Sequence, residues 1–132
     1  MAESAPMMAL DRSAAPATIL IVEDEMMIRM NTVEMVEEAG YAPLEAIDAD
    51  GAVAMLESRS DIALMVTDIQ MPGSMDGVEL AQAVHMRWPL IKIIIVSALN
   101  QPIDLPADSL FFGKPLEAQD MICQMRNMIG HA

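Results

Sequence analysis

Three short stretches, Thr18–Val22, Ile62–Thr67 and Ile91–Val96, consist almost entirely of aliphatic and thioether side chains. They are too short for buried helices and lack the alternation of a half-exposed strand. Such runs fit strands covered on both faces, as in a parallel sheet between two layers of helices. Segments of helical period lie between them. Ile28, Thr32, Met35, Val36 and Ala39 form one apolar stripe that ends at Gly40. Asp48 stands as a cap ahead of Ala49, Val53 and Leu56, and Val78, Leu80, Ala81 and Val84 precede a stop at Trp88-Pro89. Met121, Ile122, Met125, Met128 and Ile129 precede Gly130. These stops follow helix-capping chemistry and the aversion of the residue before proline for helix. With two weaker strands, Tyr41–Ala46 and Leu110–Phe112, strand and helix alternate five times. The expected fold is α/β, a doubly wound five-stranded parallel sheet with right-handed crossovers. Pro43 cannot donate to a ladder, so the second strand belongs at an edge, which fits the order 2-1-3-4-5.

The chain has 132 residues, enough for one domain, expected over residues 17–132 after a loosely attached tail, 1–16, rich in Ala, Ser, Pro and Met. Formal net charge is -13 with only seven Lys and Arg, which argues against nucleic-acid partners because phosphate contacts need cations. The single Cys123 falls among apolar helix positions and reads as a buried structural thiol in a reducing compartment. No apolar run approaches the roughly 20 residues of a membrane span. No charged segment leads into an apolar secretion signal, so the expected location is the cytoplasm.

The chemistry gathers where strands end. Glu23 and Asp24 follow the first strand, Asp68 closes the third, Ser97 the fourth, and Lys114 follows the fifth. In a parallel sheet all these ends share one rim, where ligands bind. Three crowded carboxylates repel one another unless a cation is shared. Oxygen ligands without His or Cys select a hard ion, and Mg²⁺ suits a site that leaves room for water and phosphate. A carboxylate in that setting can attack phosphorus to form an acyl phosphate, with Lys114 and the Ser97 hydroxyl meeting the charge on the transferred group.

The set Glu23-Asp24, Asp68 with Met71-Pro72, Met75-Asp76-Gly77, Ser97-Ala98 and Lys114-Pro115, in this order, resembles the receiver domain of two-component response regulators, a flavodoxin-like fold. The resemblance spans about 17–131 and implies a role for each residue. Asp68 is the phosphoacceptor. Glu23 and Asp24 hold Mg²⁺ with Asp68 and the Gln70 backbone carbonyl. Ser97 and Phe111 form the switch, Lys114 contacts phosphate, and the Lys114-Pro115 bond is cis. The phosphodonor is a sensor histidine kinase or histidine phosphotransfer protein. Three departures stand out. Gly73-Ser74 lengthens the loop after Pro72 by one residue. The interval from Ser97 to Lys114 is short and carries Pro102 and Pro106, so a shortened helix 4 is expected between strands 4 and 5. Phe111 replaces the more usual Tyr.

A second stripe on the first helix, Met26, Met30 and Val33, is unused by its core face and is a candidate surface for the phosphodonor. No residues remain for an effector domain, so the expected protein is a single-domain response regulator that accepts phosphate on Asp68. It switches a protein-interaction surface, and a phosphorylation-dependent homodimer is left open. Two rivals remain. One is a phosphorylation-independent interaction module of the same fold. The other is a Mg²⁺-dependent phosphohydrolase, disfavoured because Gln70 stands where a second acid/base carboxylate is wanted; no turnover of a separate substrate is expected. His85, His131, Arg29, Arg59, Arg87 and Arg126 read as ordinary surface groups.

Overall fold

The computed structural model describes residues 16–98 and 104–130. The five strands are β1 (Thr18–Val22), β2 (Ala42–Ala46), β3 (Ile62–Asp68), β4 (Lys92–Ser97) and β5 (Leu110–Gly113). The helices among the described residues are α1 (Met26–Glu38), α2 (Ala49–Ser58), α3 (Gly77–Arg87) and α4 (Ala118–Ile129). All neighbouring strands pair in parallel, in the order β2-β1-β3-β4-β5. Pro43 accordingly lies on an edge strand, in register with Ile19.

Alternate residues of the central strands feed two cores. Leu20, Val22, Met65, Ile93 and Ile95 meet α2 and α3 through Ala52, Leu56, Leu80 and Val84. Ile19, Ile21, Leu64, Val66, Ile94 and Val96 meet α1 and α4 through Val36, Met121, Ile122 and Met125. This double cover explains why β1, β3 and β4 carry no polar face.

Local chemistry sets the helix starts. Glu25 accepts from the Ile28 N–H at 3.0 Å to begin α1, and Asp48 accepts from the Gly51 N–H at 2.8 Å to begin α2. Asp76 and Glu79 form a reciprocal capping box at the start of α3.

Some expectations change, and some fall outside the described residues. Cys123 is exposed, not buried, because the inward stripe of α4 runs through Met121, Ile122 and Met125. At 100° per residue, position 123 points away from that stripe. On α1, Met26 and Met30 are exposed as expected and Met27 joins them, whereas Val33 is half-buried against the α1/α4 core. The shortened helix between β4 and β5 falls on Ala98–Ser109, of which 99–103 lie outside the described residues; residues 104–109 form no helix. The tail, apart from Pro16, and His131 also lie outside them. Among the described residues no helix is long and apolar enough to cross a membrane.

Candidate functional site

Two parallel strands, β1 and β3, deliver three acids to one rim of the sheet. Glu23 leaves β1 with its N–H bonded to the Ala46 carbonyl at 3.0 Å, so the turn is tied to the end of β2. Its Oε2 accepts from the Glu25 N–H at 3.0 Å. Asp68 is the last residue of β3 and 8% exposed; Glu23 is 4% exposed, and Asp24 lies open to solvent. One ligand oxygen from each of Glu23, Asp24 and Asp68 can be chosen so that all lie within 4.8 Å of one another.

Lys114 enters from beyond β5. Its N–H donates to the Ser97 carbonyl at 2.8 Å, which anchors the residue at the end of β4. Its Nζ lies 3.3 Å from Asp68 Oδ2 and 3.4 Å from Glu23 Oε1. The Lys114-Pro115 peptide is cis. Burial pushes the Glu23 carboxyl above its usual range, and the Asp68 charge acts in the same direction. The Glu25 N–H and the Lys114 ammonium oppose that shift without cancelling it. One ammonium therefore faces three carboxylates, two of them buried, an arrangement that fits a further hard cation held by oxygen.

Ser97 is fully buried at the end of β4. The register pairs Ile95 with Phe111 and Ser97 with Gly113, so Ser97 lies on the face of β4 that Ile95 and Phe111 share. Phe111 is half-buried against the α2/α3 core. Gln70 is exposed in the loop just after β3.

That loop is held closely. The Gly77 N–H donates to the Ile69 carbonyl at 2.8 Å, and a Cβ on Gly77 would sit 1.9 Å from the Asp68 carbonyl oxygen. The added Gly73-Ser74 residue is accommodated by Gly73 at φ 111° and by the Ser74 hydroxyl, which donates to Asp50 Oδ1 at 2.7 Å.

Arg29 is the residue that sequence reasoning missed. Expected as a surface charge, its side chain is only 16% exposed. Its Nη1 donates to the Glu23 carbonyl at 3.0 Å and its Nε to Glu45 Oε1 at 2.9 Å. Its place six residues after Glu23, near the start of α1, was the available signal, but the partner Glu45 comes from β2.

The family model for the response regulator receiver domain matches residues 19–122. The chain belongs to that family. Over 116 residues it is 32% identical to the response regulator receiver protein CpdR of Brucella abortus, covering 84% of this chain and 95% of that protein. It is likewise 32% identical over 119 residues to the sensor kinase CckA of the same organism, where it spans 86% of this chain but only 12% of the kinase. Among solved structures, the CheY-like receiver domain protein of Methanospirillum hungatei JF-1 superposes with a TM-score of 0.79 at 27% identity, covering 87% of this chain and 94% of that one. The chain is thus a receiver domain of two-component signalling, and its acidic rim is the cluster at which that family typically holds Mg²⁺.

Proposed function

We propose that Asp68 accepts a phosphoryl group from a phosphohistidine on a sensor kinase or phosphotransfer protein, and that the resulting dianion switches a protein-interaction surface. A carboxylate oxygen of Asp68 bonds to phosphorus while the bond from phosphorus to the imidazole nitrogen breaks, which leaves neutral imidazole after proton uptake. The single observation that carries this role is the position of the Asp68 carboxylate, 3.3 Å from the Lys114 ammonium and within one ion's reach of Glu23 and Asp24. Glu23, Asp24, Asp68 and the Gln70 carbonyl would hold Mg²⁺, which when bound supplies positive charge to the phosphoryl oxygens. Lys114 turns from Glu23 toward the new phosphate. Ser97 donates its hydroxyl to it, and Phe111, on the same face of the sheet, follows inward. The two conformations pre-exist, and phosphorylation shifts their populations.

A cleft of about 450 Å³ supports the docking of the phosphodonor along α1. It is lined by Ile28, Asn31, Thr32, Met35, Pro115 and Leu116 and ends at Lys114. Met26 and Met30, 58% and 50% exposed, offer a second, separate surface on the other side of α1. Flexible thioethers suit a surface that must fit a partner helix. The domain turns over no separate substrate, because Gln70 rather than an acid stands beside Asp68; slow loss of its own phosphoryl group to water is the exception. A cytoplasmic setting agrees with such a donor.

Incubation with acetyl phosphate and Mg²⁺ should add one phosphoryl group to the intact mass of the wild-type protein, and EDTA should prevent it. Asp68→Ala should take none. Labelling that persists in Asp68→Ala would remove Asp68 from the role, and a wild type inert with Mg²⁺ present would leave a phosphorylation-independent module.

A further inference from the structure

Three arginines whose salt bridges lie in the described residues differ sharply in setting. The side chains of Arg59 and Arg87 are 42% and 51% exposed and pair with exposed carboxylates. Arg29 is 16% exposed and spends only one of its two bonds on a carboxylate, Glu45 on the edge strand β2. The other goes to the backbone carbonyl of Glu23, the residue that opens the acidic turn. The N–H of Glu23 is bonded to Ala46, next to Glu45 at the end of β2. The peptide units on both sides of Glu23 are therefore fastened to the end of β2, one directly and the other through the Arg29 fork.

We infer that Arg29 is a positioning residue for the divalent-cation site. It clamps the turn after β1 to the end of β2, so that Glu23 and Asp24 present their carboxylates toward Asp68. The inference rests on the Mg²⁺ site proposed above. Because the guanidinium is spent on a carbonyl and on Glu45, it fixes the turn without occupying the oxygens that face the ion. A planar fork can span two acceptors in fixed directions, which a lysine ammonium does not reproduce. Residues that orient metal ligands from behind typically change affinity by about 10–100-fold when removed.

Charge and position predict opposite signs, which makes the role testable. As a mere nearby cation, Arg29 would repel Mg²⁺, and its removal would tighten binding. As a clamp, its removal loosens the ligands and weakens binding. Titration calorimetry with MgCl₂ on the full chain, below the unfolding range of every variant, separates the two. Arg29→Ala and Arg29→Lys should each weaken Mg²⁺ by about tenfold. Glu45→Gln should weaken it less, and in the same direction. Thermal unfolding in EDTA supplies the control, since a purely structural role lowers the midpoint and leaves the Mg²⁺ affinity of the folded protein unchanged. Tighter or unaltered binding in Arg29→Ala overturns the inference, as does wild-type affinity in Arg29→Lys. If Arg29→Ala does not fold, Arg29→Lys, which keeps the charge and loses the fork, decides it. A wild type that takes up no Mg²⁺ overturns the cation site itself, a failure distinct from equal binding by wild type and variants.

Discussion

Asp61 and Asp68 bracket the same strand, β3, and live under opposite conditions. Asp61, at the amino-terminal rim of the sheet, is half exposed and held by Arg59 in a two-point pair, Nε to Oδ1 at 2.9 Å and Nη2 to Oδ2 at 2.7 Å. The hydrogen-bonded Arg59 guanidinium holds its carboxyl down to about 2. At the carboxyl-terminal rim, Asp68 and Glu23 are buried and share the single ammonium of Lys114. There burial moves Glu23 the other way, above its usual range. At the first rim Asp61 has a cation of its own. The second keeps an excess of negative charge out of bulk water, unfavourable for the resting domain and the condition for taking up a cation and doing chemistry.

The two rims also use glycine for different reasons, and substituting each should separate them most strongly. Gly77 supplies space: an added Cβ would meet the Asp68 carbonyl oxygen at 1.9 Å and the Asp68 and Ile69 backbone at 2.7 Å. None of those atoms can swing away, so α3 would have to leave the end of β3 and lose the Gly77-to-Ile69 hydrogen bond. Gly77→Ala should therefore cost about 3 kcal/mol in chemical denaturation, at the upper end of overpacking. It should also slow acetyl-phosphate labelling at temperatures where the variant is folded. Gly40, after α1 at the opposite rim, supplies conformation alone: its φ is 96° and a Cβ would meet nothing within 4 Å. Gly40→Ala should cost about 1–2 kcal/mol, the strain of a non-glycine residue held at positive φ. Labelling of the folded variant should stay at the wild-type rate. Equal effects on labelling would break the distinction between the rims.

Glu23 comes next in size. Its carboxyl is raised above 4.5, so the folded protein holds that proton more tightly than the unfolded chain. The contribution of Glu23 is thus fully present below about 4.5 and is lost as pH rises through the higher folded-state value. At pH 7 without cation the Glu23 carboxyl therefore opposes folding, and Glu23→Gln should stabilise the domain, by less than the cost at Gly40. Mg²⁺ should reverse the ranking. At a hundredfold excess over its dissociation constant it adds about 2.7 kcal/mol to a protein with an intact site, and far less where a ligand is gone. Melting curves at pH 7 with EDTA and with Mg²⁺ read both signs, and a destabilised Glu23→Gln in EDTA would remove the excess charge from the account.

What the chain disclosed in advance, and what it withheld, follows the same division. The central strands were legible because burial on both faces leaves continuous runs such as Ile93-Ile94-Ile95, and the edge was legible from Pro43. The acids and Lys114 were legible because each stands where an apolar run stops, and parallel topology brings such ends together. Arg29 was not, because its role depends on the end of β2 reaching the turn after β1, a tertiary approach that leaves no local pattern. The tight seat of Gly77 under Asp68 was hidden for the same reason. Cys123 was misplaced by its residue type alone: the inward stripe through Met121, Ile122 and Met125 was legible, and position 123 lies on the other side of the helix from it.

The smallest effect gives the sharpest contrast of sign. Asp61 titrates at about 2 in the folded protein against an ordinary 3.8, so its ionised form is the one that folding favours. That contribution is present above about 3.8 and is lost as pH falls toward about 2, the reverse of Glu23. Asp61→Asn keeps an acceptor for Thr18 and Arg59 but not the charge. The wild type should therefore exceed the variant in unfolding midpoint by a small constant above about pH 4, with the difference closing below it. Because the pair is solvated, about 1 M salt, with a screening length near 3 Å, should shrink the difference at every pH. The buried charge of Glu23 should respond much less. If the difference at Asp61 instead widened on acidification, or resisted salt as Glu23 does, the two rims would not be electrostatic opposites, and the excess charge at the phosphoacceptor end would lose its standing as a special condition.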